Sequence, residues 1–138
     1  MPARDTFHNA VRKALEKDGW TITHDPLPIK VSGPDMSVDL GAERLIAATK
    51  GQERIAVEIK SFMALSLIYE FYGALGQFLS YKVGLEEQDP GRVLYLAIPV
   101  EAYDGFFILP FAQTMIERYE LRLIVYEPLK EELLKWIS

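Results

Sequence analysis

The stretch Ile55-Ala-Val-Glu58-Ile-Lys60-Ser61 carries the strongest information on the fold and function of this 138-residue chain. Branched apolar residues occupy every second position, as in a β-strand whose successive side chains point to opposite faces. Glu58 and Lys60 then project together from the other face, about 7 Å apart along the strand. Charged side chains are rarely buried unless they are paired or bind a metal. The stretch therefore predicts a buried strand that carries a functional pair of charges.

The sequence on either side of this strand predicts further helices and strands. Apolar residues at intervals of three and four indicate helices, whereas alternation and β-branched runs indicate strands. Helices are predicted at 7–18, 66–83, 110–118 and 129–137, with a turn or short helix at 99–105. Strands are predicted at 20–24, 36–40, 44–49, 54–60, 93–98 and 121–126. Mixed strands with crossover helices indicate an α/β sheet between helical layers.

Length and composition narrow the class of protein. A chain of 138 residues predicts a single domain over 1–138. The absence of cysteine excludes a disulfide scaffold, a thiolate zinc site and a cysteine nucleophile. It also fits a reducing compartment, so we expect a cytoplasmic protein. The charged first 18 residues lack the apolar region of a signal peptide, and the apolar stretch 62–79 is too polar to span a bilayer.

The net charge of −5 is unevenly distributed along the chain. Residues 1–69 hold nine basic and nine acidic residues, whereas residues 70–138 hold six and eleven. Attraction to phosphates is the main source of non-specific affinity for nucleic acids. A surface that binds DNA is therefore expected in the neutral first half, and binding by the chain alone is expected to be weak.

Asp39 is the residue most suited to complete a site with the charged pair. It lies on the polar side of the predicted strand 36–40, and antiparallel pairing would bring it beside Glu58. Two converging carboxylates repel each other unless a cation lies between them. Mg²⁺, or Mn²⁺ in its place, prefers such oxygen ligands, and the carbonyl of Ile59 offers a third. Lys60 would then orient or deprotonate a water molecule, or stabilise charge on a phosphate.

The pattern Asp39…Glu58-x-Lys60 resembles that of the PD-(D/E)xK nuclease superfamily. Gln77-x-x-x-Tyr81, on the predicted long helix, is similar to the motif of RecB-like members. The resemblance implies a restriction-endonuclease-like mixed β-sheet flanked by helices. It also implies that Asp39 and Glu58 hold the metal, that Lys60 orients the nucleophilic water and that Gln77 supports the site.

Several residues near this pattern leave alternatives open. Val38, rather than proline, precedes Asp39, and the literal Pro34-Asp35 pair reads as a turn, with Asp35 as a less favoured metal ligand. Glu43 either supplies a second carboxylate or pairs with a basic neighbour. Glu58 and Lys60 themselves have a plainer interpretation, as a solvated face or an ion pair of little energetic value.

Other polar residues are weaker candidates for the site. His8 is either a packing residue of the first helix or an active-site neighbour that donates to a carboxylate. Glu16 is expected in solvent and Glu70 on the surface, and each is kept as a minor candidate. Tyr81 is a candidate for the site only because it is part of the Gln77-x-x-x-Tyr81 pattern.

Matches to one family extend along the whole chain. The chain resembles the XisH family, named as controlling factors for excision of the fdxN DNA element during cyanobacterial heterocyst differentiation. The resemblance implies action on DNA beside a site-specific recombinase and an XisI-type partner protein. The stretches that carry it are Met1-Pro-Ala-Arg-Asp-Thr-Phe-His8, Lys17-Asp-Gly-Trp20, Asp39-Leu-Gly-Ala-Glu43, Ile55-Ala-Val-Glu-Ile-Lys-Ser-Phe62, Leu75-Gly-Gln77 and Glu132-Leu-Leu-Lys-Trp-Ile137.

Two functional hypotheses remain at this point. In the first, the chain is a Mg²⁺-dependent, endonuclease-like enzyme that hydrolyses phosphodiesters. In the second, it is a catalytically inactive accessory factor of nuclease fold that binds a partner protein or DNA and regulates recombination. Tyr69, Phe71 and Tyr72 almost encircle part of the long helix, which favours a homo- or hetero-oligomer because such helices are usually buried by partners.

Overall fold

The structure, a computed structural model, describes residues 3–29, 44–63 and 65–138, apart from the side chains of 3–6 and 44. Three helices of nine or more residues and six strands form its framework. In chain order the elements are α1 (Ala3–Lys17), β1 (Thr21–His24), β2 (Arg44–Lys50), β3 (Glu53–Ile59), α2 (Leu67–Gln88), β4 (Val93–Pro99), α3 (Val100–Ala102), a π-helical turn (Tyr103–Phe107), α4 (Pro110–Arg118), β5 (Leu123–Glu127) and β6 (Glu132–Ile137).

The strands form one sheet in the order β1-β2-β3-β4-β5-β6. β3, β4 and β5 run parallel, whereas the outer pairs β1–β2, β2–β3 and β5–β6 are antiparallel. Parallel neighbours need a crossover connection. α2 supplies it between β3 and β4, and α3, the π-helical turn and α4 supply it between β4 and β5. The predicted α/β fold, with a mixed sheet flanked by helices, is confirmed.

The sheet separates two hydrophobic cores, so that β3 is buried on both faces. α1 covers the face that carries Ile55, Val57 and Ile59, together with Ile124 and Tyr126 of β5. α2 and the segments after β4 cover the opposite face. That second core includes Leu45, Ala47, Ala56, Leu94, Leu96, Ile98, Leu123 and Val125 from the strands.

Helix α2 buries most of the stripe predicted by the apolar pattern, but departs from it after Phe78. The sequence indicates a core stripe of Leu67, Ile68, Phe71, Leu75, Phe78 and Leu79. Phe71 and Phe78 are buried, and Leu67, Ile68 and Leu75 pack against the core, whereas Leu79 is exposed. The buried side continues through Tyr81 and Leu85. This buried side follows the helical repeat over the length of the helix, whereas the predicted set turns away from the sheet at Leu79. The helix also continues five residues beyond the predicted end, to Gln88.

The C-terminal prediction was wrong, because residues 129–137 form a turn and strand β6 rather than a helix. β6 pairs with the edge of β5, placing Trp136 opposite Ile124. The Trp136 ring packs edge-to-face on Tyr95, with ring centroids 4.9 Å apart. Pairing to an open edge, together with this burial, overrides the local helix preference of leucine, lysine and glutamate.

Candidate functional site

Glu58 and Lys60 lie at the carboxyl end of the central strand β3. They share the face of Ala56, which α2 covers, as the alternation of the sequence predicted. Neighbouring strands place Leu45 and Leu96 directly beside Glu58. The backbone amide of Lys60 donates to the carbonyl of Ala97, 3.1 Å away, so the lysine is held against β4. The sheet therefore fixes both charged residues on a mostly apolar face.

The two side chains are almost completely removed from solvent. Glu58 is 1% exposed and Lys60 6%, and they are the charged residues buried within the described part of the chain. The Lys60 ammonium lies 4.0 Å from one Glu58 carboxylate oxygen. Burying two charges costs several kcal/mol per ion by rough reckoning, and attraction at this separation only partly offsets it. Keeping this pair in an apolar core thus costs the fold stability.

The backbone immediately after Lys60 is strained. Phe62 adopts a left-handed conformation with φ of 53°, which is uncommon for a bulky residue. Its ring is buried and packs edge-to-face on Phe107, with centroids 5.3 Å apart. The turn thereby redirects the chain out of β3 toward α2 while the aromatic contact holds it. Strained backbone of this kind is frequent beside functional sites.

Gln77 lies on α2, one helical turn before the buried Tyr81. The helical spacing places both on the side of Ala74, which packs into the core over the Glu58 face. The Gln77 amide oxygen is buried and accepts no hydrogen bond from the described residues. Leaving a buried acceptor without a donor costs about 1–3 kcal/mol. From its position on the helix, Gln77 lies on the side of α2 that covers the charged pair.

Some of the predicted metal ligands lie within the described residues and others lie outside them. Asp39, Glu43 and Pro34-Asp35, like the strand predicted at 36–40, lie outside the described residues. The Glu58 carboxylate and the adjoining Ile59 carbonyl are oxygen donors of the type that Mg²⁺ prefers. Within 3–29, 44–63 and 65–138, no three His, Asp or Glu side chains are grouped to hold a metal. A complete metal site would thus need oxygen ligands beyond these residues, such as Asp39.

His8 contacts a carboxylate, but not that of Glu58. Its Nε2 lies 2.9 Å from Asp25, and the Arg12 guanidinium donates to the same carboxylate at 2.7 Å. α1 packs on the face opposite the Glu58 side chain, so this cluster ties α1 to the segment after β1. Asp25 was not predicted, because its partners are 13 and 17 residues away and only the fold brings them together.

The other two minor candidates lie on α1 and at the start of α2. Glu16 is exposed on α1, as expected of a solvent residue. Glu70 is half-buried in the first turn of α2, where an acidic residue favours the helix dipole.

A second ionic cluster lies at the opposite end of β3. Arg54 donates to Asp89 at 2.6 Å, and Arg92 donates to the other carboxylate oxygen at 3.0 Å. Arg92 also donates to the carbonyl of Ile55 at 3.0 Å. The hydrogen bond from Arg54, aided by that from Arg92, lowers the pKa of Asp89, although partial burial opposes the shift. The cluster ties the end of α2 to the starts of β3 and β4.

Three basic residues of the acidic second half meet in a cleft near this cluster. Lys82, Arg92 and Arg122 line it together with Glu86, and its volume is about 220 Å³. The cleft lies at the amino ends of β4 and β5, away from the carboxyl end of β3. Basic residues therefore outnumber acidic ones in this cleft, although acidic residues are in excess over 70–138 as a whole.

The helices of the described segments include none with the length and apolar character needed to cross a membrane. This agrees with the expectation from the polar interruptions in 62–79.

Comparisons with known proteins agree with the sequence resemblance. The XisH protein family model matches residues 1–134. The fold is similar to the crystal structure of an XisH family protein from Nostoc punctiforme PCC 73102, with a TM-score of 0.90 and 45% identity over 97% of this chain and 100% of that chain. It is also similar to an fdxN element excision controlling factor protein from Anabaena variabilis, with a TM-score of 0.89 and 44% identity over 97% and 99%. No curated protein gives a significant match.

The family match covers nearly the whole chain, and both solved structures share its fold at more than 40% identity. Residues 55–62, on which the resemblance partly depends, contain the buried pair at the end of β3. The chain therefore belongs to the XisH family.

Proposed function

We propose that this chain controls the excision of a DNA element and that Glu58 and Lys60 form a metal-dependent site for phosphodiester hydrolysis. The first part is supported by the Anabaena variabilis protein, an fdxN element excision controlling factor that is 44% identical over 97% of this chain. The second part depends on one observation, which is the burial of a carboxylate and an ammonium group side by side in an apolar core.

The surroundings of the pair explain why its retention supports a function. Leu45 and Leu96 flank Glu58 in the sheet, and Ala56 precedes it on the same face. Apolar residues at 58 and 60 would match these neighbours. Replacing a buried ion pair with well-packed apolar residues is often neutral or stabilises a protein by about 1–4 kcal/mol. Packing alone therefore does not explain why charged residues are retained at positions 58 and 60, whereas a role in chemistry on a phosphate would explain it.

Each residue has a defined part in the proposed reaction. Glu58, Asp39 and the Ile59 carbonyl would hold Mg²⁺ or Mn²⁺, which lowers the pKa of a bound water and offsets phosphate charge. Lys60 donates a hydrogen bond to the attacking water or to a phosphate oxygen. The attacking water loses a proton to solvent and its oxygen bonds to phosphorus, one P–O ester bond breaks, and the leaving oxygen takes up a proton from solvent. Gln77 positions these groups from α2 through its buried amide.

The proposed substrate is DNA, and the proposed setting is an assembly. A site-specific recombinase and an XisI-type protein are the partners that family membership suggests. The acidic balance of residues 70–138 would weaken DNA binding by the chain alone, because phosphates are attracted chiefly by basic residues. A partner would therefore contribute much of the affinity and the choice of DNA sequence.

A second candidate function is regulation without cleavage. The observation that favours it is the burial of Glu58 and Lys60, which leaves little of either side chain accessible to a phosphate. In this alternative, the chain binds a partner protein or DNA through its nuclease fold, and the pair is a remnant of a site.

Cleavage assays distinguish the two candidates. The chain is incubated with supercoiled and branched DNA and Mg²⁺ or Mn²⁺, beside the variants Glu58→Gln and Lys60→Met. Glu53→Gln, on the exposed start of the same strand, is the matched control. The proposal expects cleavage by the native chain and the control, and a loss of at least about 100-fold in both site variants.

Metal binding gives a readout that does not depend on the DNA substrate. Calorimetric titration with Mn²⁺ is expected to show binding to the native chain and to Glu53→Gln, and none to Glu58→Gln. Circular dichroism verifies that each variant is folded. Neither cleavage nor Mn²⁺ binding by a folded native chain would reject the enzyme and leave the regulatory function.

A further inference from the structure

The outward side of α2 carries an exposed apolar stripe that the fold leaves uncovered in the described part of the chain. We propose that this outer stripe, defined as Tyr69, Tyr72, Leu79 and Val83, forms an interface between two antiparallel copies of α2 in a two-fold symmetric dimer. Tyr69 is 73% exposed, Tyr72 54%, Leu79 37% and Val83 57%. The inference uses no feature of the proposed nuclease site.

The stripe is continuous along the helix. Its members and Gly76 recur at intervals of three and four residues, so they lie on one side of α2. This side faces away from the buried stripe of Phe71, Phe78 and Leu85. Ser80 adds a neutral polar residue, and no charged residue occupies these positions between 69 and 83. In a chain of net charge −5, a neutral and largely apolar surface of this kind lets a second copy approach without contact between like charges.

Two exposed glycines support close approach of another helix. A Cβ atom added at Gly73 or Gly76 would meet nothing within 4 Å. Glycine in a helix interior is less stable than alanine, so the fold of one described chain offers no packing reason for either residue. Against a second helix, however, the missing side chains would let the two backbones come together. The aromatic side chains supply the contact area, and the glycines supply the space.

The order of side chains along the stripe fits a second copy in the antiparallel direction. A closed dimer uses the same surface on both copies. A two-fold axis at Gly76 places Tyr69 opposite the partner copy's position 83 and Tyr72 near its position 79, so each large ring meets a smaller side chain. Parallel pairing would instead place tyrosine against tyrosine and leave a gap at the glycines. The Tyr69 and Tyr72 rings are already packed edge-to-face, with centroids 5.9 Å apart.

Charges at the helix ends also favour the antiparallel direction. Glu86 and Glu87 lie in the last turn of α2, which carries no basic residue. Parallel pairing would bring these acidic ends together, adding repulsion to that of the helix dipoles. Antiparallel pairing sets them beside the other copy's helix start at Ser66, where the dipole is positive. The same axis brings Glu70 and Lys82 to the same level along the two helices.

The area of the outer stripe indicates a weak interface. Tyr69 to Val83 spans about 21 Å along a helix about 10 Å wide, or roughly 200 Å² on each copy and about 400 Å² on both. Specific interfaces bury roughly 1,200–2,000 Å² in total, and smaller ones are typical of weak complexes. Exposed Met63 and Leu65, just before the helix, are further apolar side chains near one end of the stripe. A weak dimer that dissociates on dilution is therefore expected.

Cross-linking tests the position of the axis, because the chain contains no cysteine. Gly76→Cys places a thiol on the proposed two-fold axis, and Asn9→Cys places one on the exposed side of α1 as a matched control. Under mild oxidation, the proposal expects Gly76→Cys to form a disulfide-linked dimer at least about tenfold faster than Asn9→Cys. Equal rates would overturn the proposed axis.

Sedimentation of the chain tests the interface itself. The native chain is expected to show a concentration-dependent dimer below about 100 μM, whereas Tyr72→Glu is expected to remain monomeric. Tyr119→Glu, an exposed residue outside the stripe, should dimerise like the native chain. A native chain that stays monomeric throughout would overturn the proposal, and this includes the case in which a different protein covers the stripe. Glu58→Gln should still dimerise, so loss of the nuclease site and loss of the dimer are separable.

Discussion

The two ends of strand β3 carry ionic clusters of opposite character. At the amino end, Asp89 receives short hydrogen bonds of 2.6 and 3.0 Å from Arg54 and Arg92 and retains access to solvent. At the carboxyl end, Glu58 and Lys60 are buried and 4.0 Å apart. Good geometry in partial solvent makes the first cluster a structural clamp. In the second cluster, both charged groups are deeply buried and lie farther apart, so the pair costs the fold stability. This cost is the physical reason to propose a function for the pair.

Breaking the buried pair should have the largest effect on stability. Lys60→Met removes the ammonium group and leaves the Glu58 carboxylate in an apolar face. We expect the free energy of unfolding to fall by about 3–5 kcal/mol, because removing one member of a buried ion pair is strongly destabilising. Urea denaturation near neutral pH measures it.

The exposed pair of Lys13 and Glu131, 3.5 Å apart, provides the control for that measurement. Lys13→Met should change stability by less than about 1 kcal/mol. Equal losses in the two lysine variants would show that burial does not distinguish the pairs.

Replacing both members of the buried pair should reverse most of this loss. In the double variant Glu58→Leu with Lys60→Met, no buried charged side chain is left among the residues that the structure describes. Stability is expected to equal that of the native chain or to exceed it by about 1–4 kcal/mol. A double variant as unstable as Lys60→Met would mean that the pair is structural, like the cluster at the other end.

Breaking the clamp should reduce stability less than breaking the buried pair does. Replacing its members with apolar residues should not restore that stability. Asp89→Asn keeps the size of the side chain but removes the charge that Arg54 and Arg92 bind. We expect a loss of about 1–2 kcal/mol, because hydrogen bonds to a charged group in partial solvent are worth about this much. Chemical denaturation of Asp89→Asn, beside Asp104→Asn as an exposed control, measures the difference.

The smallest expected effect is the dependence of the clamp on pH. The Arg54 hydrogen bond, with help from Arg92, lowers the pKa of Asp89 in the folded chain. The carboxylate therefore stabilises the fold fully above its ordinary pKa of about 3.9, and this stabilisation is lost as the pH falls through the lower folded-state value. The native chain should lose stability more steeply than Asp89→Asn in this acidic range. The same dependence of stability on pH in both chains would contradict the stabilising role assigned to the Asp89 carboxylate.

The sequence predicted what depends on local pattern. Alternation over residues 55–61 was enough to place Glu58 and Lys60 on one face of a strand, and the resemblance to the PD-(D/E)xK superfamily predicted a mixed sheet flanked by helices. The sequence did not predict that Asp89 binds Arg54, 35 residues earlier. Partners so far apart meet only when the sheet has formed.

Other features were not predictable because two local patterns competed. Helix α2 presents two neighbouring apolar stripes, and contact with the sheet selects the one that includes Tyr81. The residues of β6 have good helix preference, but the open edge of β5 selects a strand. In both cases tertiary contacts decide between states that the local sequence allows. Leu79, which the sheet leaves partly exposed, belongs to the outer stripe that we assign to the dimer.

The most direct test of the central claim combines activity with stability in the double variant Glu58→Leu with Lys60→Met. The measurement is nicking of supercoiled DNA with Mn²⁺, at equal folded concentration of native and variant chains. We expect nicking by the native chain and none by a double variant that is at least as stable as the native chain. Equal nicking by both chains would contradict the claim that this pair is retained for chemistry, and so would a native chain that leaves the DNA intact.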